Sequence, residues 1–141
     1  MTRVVRVRAA AEVERCLPAL LQLRGHLSRV SCREQILRQQ AAGYRLVFLE
    51  AGGRVRSVAG YRLLENLAWG KFLYVDDLVT RADARDRGYG GRLLTWLIGE
   101  ARRLGCAEFH LDSGVQRHAA HAFYFKHRLH INSYHFARRP A

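Results

Sequence analysis

Along this chain the hydrophobic positions change period several times, and each change marks a new element. Val4, Val5 and Val7 are interleaved with Arg3, Arg6 and Arg8, which predicts a first strand. Val13, Leu17, Leu20, Leu21 and Leu27 then recur at helical spacing, with Pro18 placed to kink or break that helix. Ser28 or Ser31 is suited to cap a second helix carrying Ile36 and Leu37. From Tyr44 the period falls to two, Tyr44, Leu46 and Phe48 alternating with Arg45, Val47 and Leu49. Gly52-Gly53 separates this run from Val55, Ser57, Ala59, Tyr61 and Leu63, the pattern of an antiparallel hairpin. Trp69-Gly70 punctuates again, and Phe72 to Val79 reads as a further strand.

In the second half, Leu93, Leu94, Leu97, Ile98, Ala101 and Leu104 form one apolar helical stripe, with Glu100, Arg102 and Arg103 assigned to the opposite side. Gly105 sits where a helix C-terminus favours glycine. Cys106 to Leu111 reads as a strand, residues 117–127 as a helix with Ala119, Ala120 and Phe123 toward the core, and Leu129 to Phe136 as a last strand. The order β, α, α, three strands, α, β, α, β implies a mixed sheet with helices on its faces, in the α/β or α+β class. The length suits one domain over residues 1–141, without repeat or linker.

Composition narrows the class. No stretch approaches the ~20 apolar residues of a membrane span, and residues 1–10 lack a signal-peptide apolar region, so a cytoplasmic location and no membrane partner are expected. Cys16, Cys32 and Cys106 are odd in number and widely spaced, which argues against a disulfide framework or a cysteine-based zinc site. The net charge is +12, with 22 of the 24 basic residues arginine. Nucleic acid, a phosphorylated cofactor or an arginine-rich composition without function would each account for it. The arginines are spread along the chain rather than gathered, which weakens the nucleic-acid reading.

The segment Asp77-Leu78-Val79-Thr80, followed by Arg85-Asp86-Arg87-Gly88-Tyr89-Gly90-Gly91-Arg92, carries the most chemistry. A strand enters a short polar loop that opens a helix. The first N–H groups of a helix lack internal partners, and the helix dipole adds positive potential there, so a pyrophosphate is a natural guest. Gly88, Gly90 and Gly91 remove Cβ atoms that would hold a ligand away, and Arg87 and Arg92 add formal charge. A Walker A loop would need Gly-Lys-Ser/Thr, and a dinucleotide fingerprint would need a glycine where Leu93 stands.

Arg85, Gly88 and Gly90 meet the pattern Arg/Gln-x-x-Gly-x-Gly/Ala, and here the sequence resembles the GNAT (Gcn5-related N-acetyltransferase) superfamily. Leu78 precedes Arg85 by the family's interval of seven residues. A later signature of the form Asn-x-x-Ala-x-x-Phe-Tyr-x-Lys is met by Ala120, Phe123, Tyr124 and Lys126, with Arg117 in place of the asparagine and Arg128-Leu129 in place of a common Gly-Phe. The resemblance implies a single GNAT-like domain. Its central, mostly antiparallel sheet would have six to seven strands, with about four helices and a splayed strand pair at the cofactor. It implies acetyl-CoA as cofactor, no metal, and transfer of the acetyl group to a small-molecule or peptide amine. The backbone amides of Arg87 to Arg92 would hold the pyrophosphate, Arg85, Tyr89 and Lys126 would complete the cofactor site, and Leu78 and Val79 would pair with the pantetheine arm. A homodimer is compatible with the family, and nucleic acid is not an expected partner.

Tyr124 occupies the family's general-acid position, and a phenol with a pKa near that of a thiol can hand a proton to it. Packing on the sheet is the alternative role. Asp76 and Asp77 are adjacent, and strict alternation would send one to each face of the sheet, Asp76 with Tyr74 and Leu78. Some relatives place a glutamate base on that face, so the resemblance implies Asp76 as a candidate base or amine anchor, against a salt bridge to arginine or deprotonation relayed by water. Asp77, with His110 and Asp112 alternating along the next strand, is a candidate acceptor contact. His118 and His121 have the i, i+3 spacing of a metal pair but no acidic or cysteine ligand at suitable spacing. Two other classes stand beside the enzyme: a basic nucleic-acid-binding module, and a catalytically silent acyl-CoA-binding relative.

Overall fold

All 141 residues are described in a computed structural model. The elements run β1 (Thr2–Arg6), α1 (Ala10–Leu23), α2 (Arg29–Ala41), β2 (Arg45–Ala51), β3 (Arg54–Asn66), β4 (Gly70–Thr80), α3 (Tyr89–Arg103), β5 (Glu108–Leu111) and α4 (His118–Lys126). The chain divides into two compact units, Met1–Leu111 and Asp112–Ala141. The first holds one five-stranded sheet in the order β1-β2-β3-β4-β5, antiparallel except for the parallel β4–β5 pair. The second holds α4. No helix is long and apolar enough to cross a membrane.

The sheet is apolar on both faces because β2 is. Leu46 and Phe48 pack with Val13, Leu17 and Leu20 of α1 and with Ile36 of α2. Val47 and Leu49 point the other way and pack with Leu93, Leu97 and Ala101 of α3. One strand therefore feeds two cores, the arrangement that lets helices cover both faces. At the start of α2, Ser28 Oγ accepts the Ser31 amide at 3.0 Å. Ser28→Ala should cost about 1 kcal/mol, measurable as a lower denaturation midpoint with unchanged denaturant slope.

Three features differ from expectation. Helix α1 runs through Pro18 unbroken, because Val13, Cys16, Leu17, Ala19 and Leu20 around it are all buried and hold the helix against the sheet. Glu100 is not on a polar face but 3% exposed, inside the second core. Arg6 and Arg103 satisfy its charge there. The strand expected over Leu129 to Phe136 does not form, so the sheet has five strands rather than six or seven. β-prone residues make a strand only where a neighbouring backbone receives their N–H and C=O groups. No ladder runs along these residues, and Ile131, Tyr134 and Phe136 are exposed.

Candidate active site

Strand β4 is the wall of the site. Its parallel pairing with β5 covers only Phe72 to Val75, against Glu108 to Leu111. Its antiparallel pairing with β3 continues further, with Leu78 opposite Ala59, Val79 opposite Val58 and Thr80 opposite Ser57. From Asp76 to Thr80 the edge of β4 turned from β3 therefore carries no strand. Backbone donors and acceptors on such an edge invite an extended partner.

The chain then turns through a braced loop. The Arg81 amide donates to the Arg56 carbonyl at 2.9 Å, the Ala82 amide to Gln22 Oε1 at 2.9 Å, and Arg85 Nε to the Thr80 carbonyl at 3.4 Å. Asp86 and Gly88 both have positive φ, 63° and 81°. Gly88 is the residue before α3, and its left-handed conformation is one that only glycine adopts without strain. No side chain caps the helix. Its first internal bond from this end is Arg92 N–H to the Gly88 carbonyl at 3.1 Å, which leaves the amides of Tyr89, Gly90 and Gly91 open. Arg85, Arg87, Gly88 and Arg92 are exposed around them. Open helical amides with exposed arginines close by in the chain are a donor set suited to a diphosphate.

The two aspartates do not alternate. Between Gly60 and Tyr61 the β3–β4 register shifts, Gly60 facing Asp77 and Tyr61 facing Val75, so Asp76 is an inserted bulge residue. Val75 and Leu78 both pack in the α3-side core, which puts Asp76 and Asp77 together on the α1–α2 side. Asp76 is therefore on the face opposite Leu78, and one aspartate per face was the wrong expectation. Arg62 holds both Asp76 oxygens, Nε to Oδ2 at 2.7 Å and Nη2 to Oδ1 at 2.8 Å. Asp77 accepts Arg24 Nε at 2.9 Å and the Tyr44 hydroxyl at 2.7 Å. Burial and the neighbouring Asp77 hold the Tyr44 pKa well above its usual value, so it remains a donor. Asp77 borders a cavity of about 280 Å³ between α1, α2 and β4, lined also by Arg24, His26, Cys32, Gln35 and Tyr44. Arg24, Tyr44 and Arg62 were not anticipated. Their partners lie 53, 33 and 14 residues away, and no local pattern signals such contacts.

His110 stacks on Trp69 with ring centroids 3.6 Å apart, and its Nε2 meets Glu108 Oε1 at 2.7 Å. β5 ends at Leu111, so the alternation expected to join His110 with Asp112 does not extend to Asp112. Asp112 instead lies 3.5 Å from His135. In the second unit Tyr124 and Lys126 fall on α4, Tyr124 half-buried and Lys126 exposed. Burial raises the Tyr124 pKa, opposed by Arg117. His118 and His121 meet edge to face with centroids 6.0 Å apart, and His121 Nε2 donates to the Gly114 carbonyl at 2.8 Å. Among the cysteines, Cys16 and Cys32 are buried, and burial pushes the Cys16 thiol up to about 12.

A helix start with open amides beside an unpaired strand edge, on a mixed sheet covered on both faces, defines an α/β domain with a place for an extended anionic ligand. Residues 14–129 match the model of the acetyltransferase (GNAT) family, and the chain belongs to that family. It is 37% identical over 102 residues to the uncharacterized N-acetyltransferase YhdJ of Bacillus subtilis (strain 168), covering 72% of this chain and 71% of the relative. The fold is also that of solved structures. Ribosomal-protein-alanine N-acetyltransferase from Brucella melitensis biovar Abortus 2308 aligns with a TM-score of 0.85 over 100% of both chains at 13% identity. AAC(6')-Iy in complex with the bisubstrate analogue CoA-S-monomethyl-acetylneamine aligns with a TM-score of 0.80 over 100% of this chain and 99% of the other, at 15% identity.

Proposed function

We propose that this protein transfers the acetyl group of acetyl-CoA to a primary amine. The observation that carries the reading is the pairing of uncapped α3 amides with the unpaired edge of β4 immediately before them. The amides of Tyr89, Gly90 and Gly91, with Arg85, Arg87 and Arg92 around them, would hold the pyrophosphate. Leu78 and Val79 would offer backbone groups to the ligand's extended arm. Acetyl-CoA supplies an acyl group already activated as a thioester. The AAC(6')-Iy complex, whose analogue carries CoA, supports that cofactor class. Because the family match spans both compact units, we also read residues 1–141 as one functional domain.

The acceptor, a small-molecule or peptide amine, is assigned to the cavity of about 280 Å³ bordered by Arg24, Tyr44 and Asp77. Its walls come from the early helices and β4, and its volume suits a small amine or a single side chain. Arg62 occupies both oxygens of Asp76, which leaves that carboxylate poorly placed to take a proton. Loss of the ammonium proton is therefore assigned to water. Asp76 positions Arg62, and Asp77 shapes the cavity through Tyr44 and Arg24. Tyr124 would serve as the general acid, burial keeping its phenolic proton in place through the neutral range.

Calorimetric titration with acetyl-CoA, followed by a thiol-release screen over primary amines, tests the reading. One equivalent should bind at micromolar concentration, and at least one amine should release thiol. Gly88→Val would force a β-branched side chain into φ 81°. It should weaken binding at least tenfold while circular dichroism stays native. No heat and no thermal stabilisation at millimolar acetyl-CoA would end the proposal.

A further inference from the structure

A second basic concavity lies at the other end of α3. Its volume is about 560 Å³, and Arg6, Arg8, Arg45, Arg103 and Tyr61 line it. The arginines come from β1, the β1–α1 turn, the start of β2 and the last residue of α3. A helix of 15 residues spans about 22 Å, so this cavity is remote from the amides that follow Gly88.

The charges here are arranged rather than scattered. Glu100 is buried behind the cavity and accepts Arg6 Nη2 at 2.9 Å, Arg6 Nε at 3.2 Å, Arg103 Nε at 2.5 Å and the Tyr61 hydroxyl at 3.3 Å. The Arg6 guanidinium also lies 4.9 Å from the centre of the Trp96 ring, which further fixes its plane. Two guanidinium groups are thus held in place, yet each retains N–H donors that Glu100 does not use. Arg8 and Arg45 have no carboxylate partner of their own in an ion pair. Glu12, which also feels Arg8, is committed to the backbone amides of Arg8 and Ala9 at 2.7 and 2.9 Å. Counting both Glu100 and Glu12 against four arginines still leaves two positive charges uncompensated, and no carboxylate lines the cavity itself. Like charges gathered in a concavity repel one another unless an anion joins them.

We propose that this cavity is a binding site for a compact multivalent oxyanion, phosphoryl or polycarboxylate, separate from the acetyl-CoA site. Guanidinium forks match both oxyanion classes, and the cavity has the size of a small-molecule site rather than an extended groove.

The experiment titrates inorganic pyrophosphate, and separately citrate, into full-length protein already saturated with coenzyme A. At least one should bind with one-to-one stoichiometry. Arg8→Ala/Arg45→Ala alters two exposed side chains. It should weaken that binding at least tenfold and leave coenzyme A affinity within twofold. Arg102→Ala/Arg139→Ala removes the same net charge from exposed positions outside the cavity and should leave oxyanion binding nearly unchanged. Neither anion binding to the saturated protein would overturn the proposal. So would equal weakening in both double variants, which would assign the effect to the general field. Displacement of the anion by duplex DNA at matched phosphate concentration would likewise sink it, as the surface would then be an open polyanion face.

Discussion

Tyr124→Phe is expected to lower kcat on the order of 100- to 10,000-fold, the usual contribution of a positioned acid, while acetyl-CoA affinity stays within twofold. The substitution removes one oxygen and keeps the ring, so α4 should pack unchanged. Burial raises the Tyr124 pKa above its ordinary 10.0, with Arg117 partly opposing. The sign matters: a raised phenol keeps its proton to higher pH, so the acid form is present throughout the neutral range. The wild-type rate should therefore rise as the acceptor amine loses its proton and fall only beyond the ordinary phenol range, where the raised phenol itself ionises. That alkaline limb should be absent from the phenylalanine variant. A variant with native kcat and a lowered melting temperature would make Tyr124 a packing residue and leave the departing thiolate to be protonated by water.

What could be read from the chain beforehand was whatever depends on near neighbours. The stripe from Leu93 to Ala101 and the Arg85, Gly88 and Gly90 spacing identify α3 and its exposed start, because helix periodicity and glycine tolerance are local properties. The Gly52-Gly53 hairpin was equally plain, and both glycines take positive φ there, 60° and 73°. Glu100 was misplaced because its charge is answered by Arg6, 94 residues away, and by Tyr61, 39 residues away. Pairing of that kind has no signature along the chain. The aspartates were misplaced for a different reason. A single bulge at Asp76 shifts every later side chain of β4 by one face, and period-two reasoning assumes that no such insertion occurs. The missing last strand follows from the same limit, since Ile131, Tyr134 and Phe136 have strand-like chemistry but no ladder.

Gly60→Ala is expected to destabilise the protein by about 3 kcal/mol, lowering the melting temperature by roughly 10 °C. The reason is space rather than backbone freedom. A Cβ at position 60 would stand 1.6 Å from Tyr44 Oη, 2.1 Å from its Cζ and 2.5 Å from its Cε1. None of these distances can be relieved by a small adjustment, and the tyrosine is 4% exposed, so its ring must leave a packed position. Its departure also removes the 2.7 Å hydrogen bond to Asp77 and opens one wall of the proposed acceptor cavity. A double-mutant cycle isolates this cause. Tyr44→Ala alone should cost about 3–5 kcal/mol through the cavity it leaves. The Gly60→Ala/Tyr44→Ala protein should be no less stable than Tyr44→Ala, because the added methyl then enters space the ring has vacated. The resulting coupling would reach several kcal/mol, beyond what separated sites display. Costs that simply add would mean that the two positions do not compete for the same volume. The close approach of Tyr44, the residue before β2, to the β3 backbone would then not be what places Asp77 at the cavity.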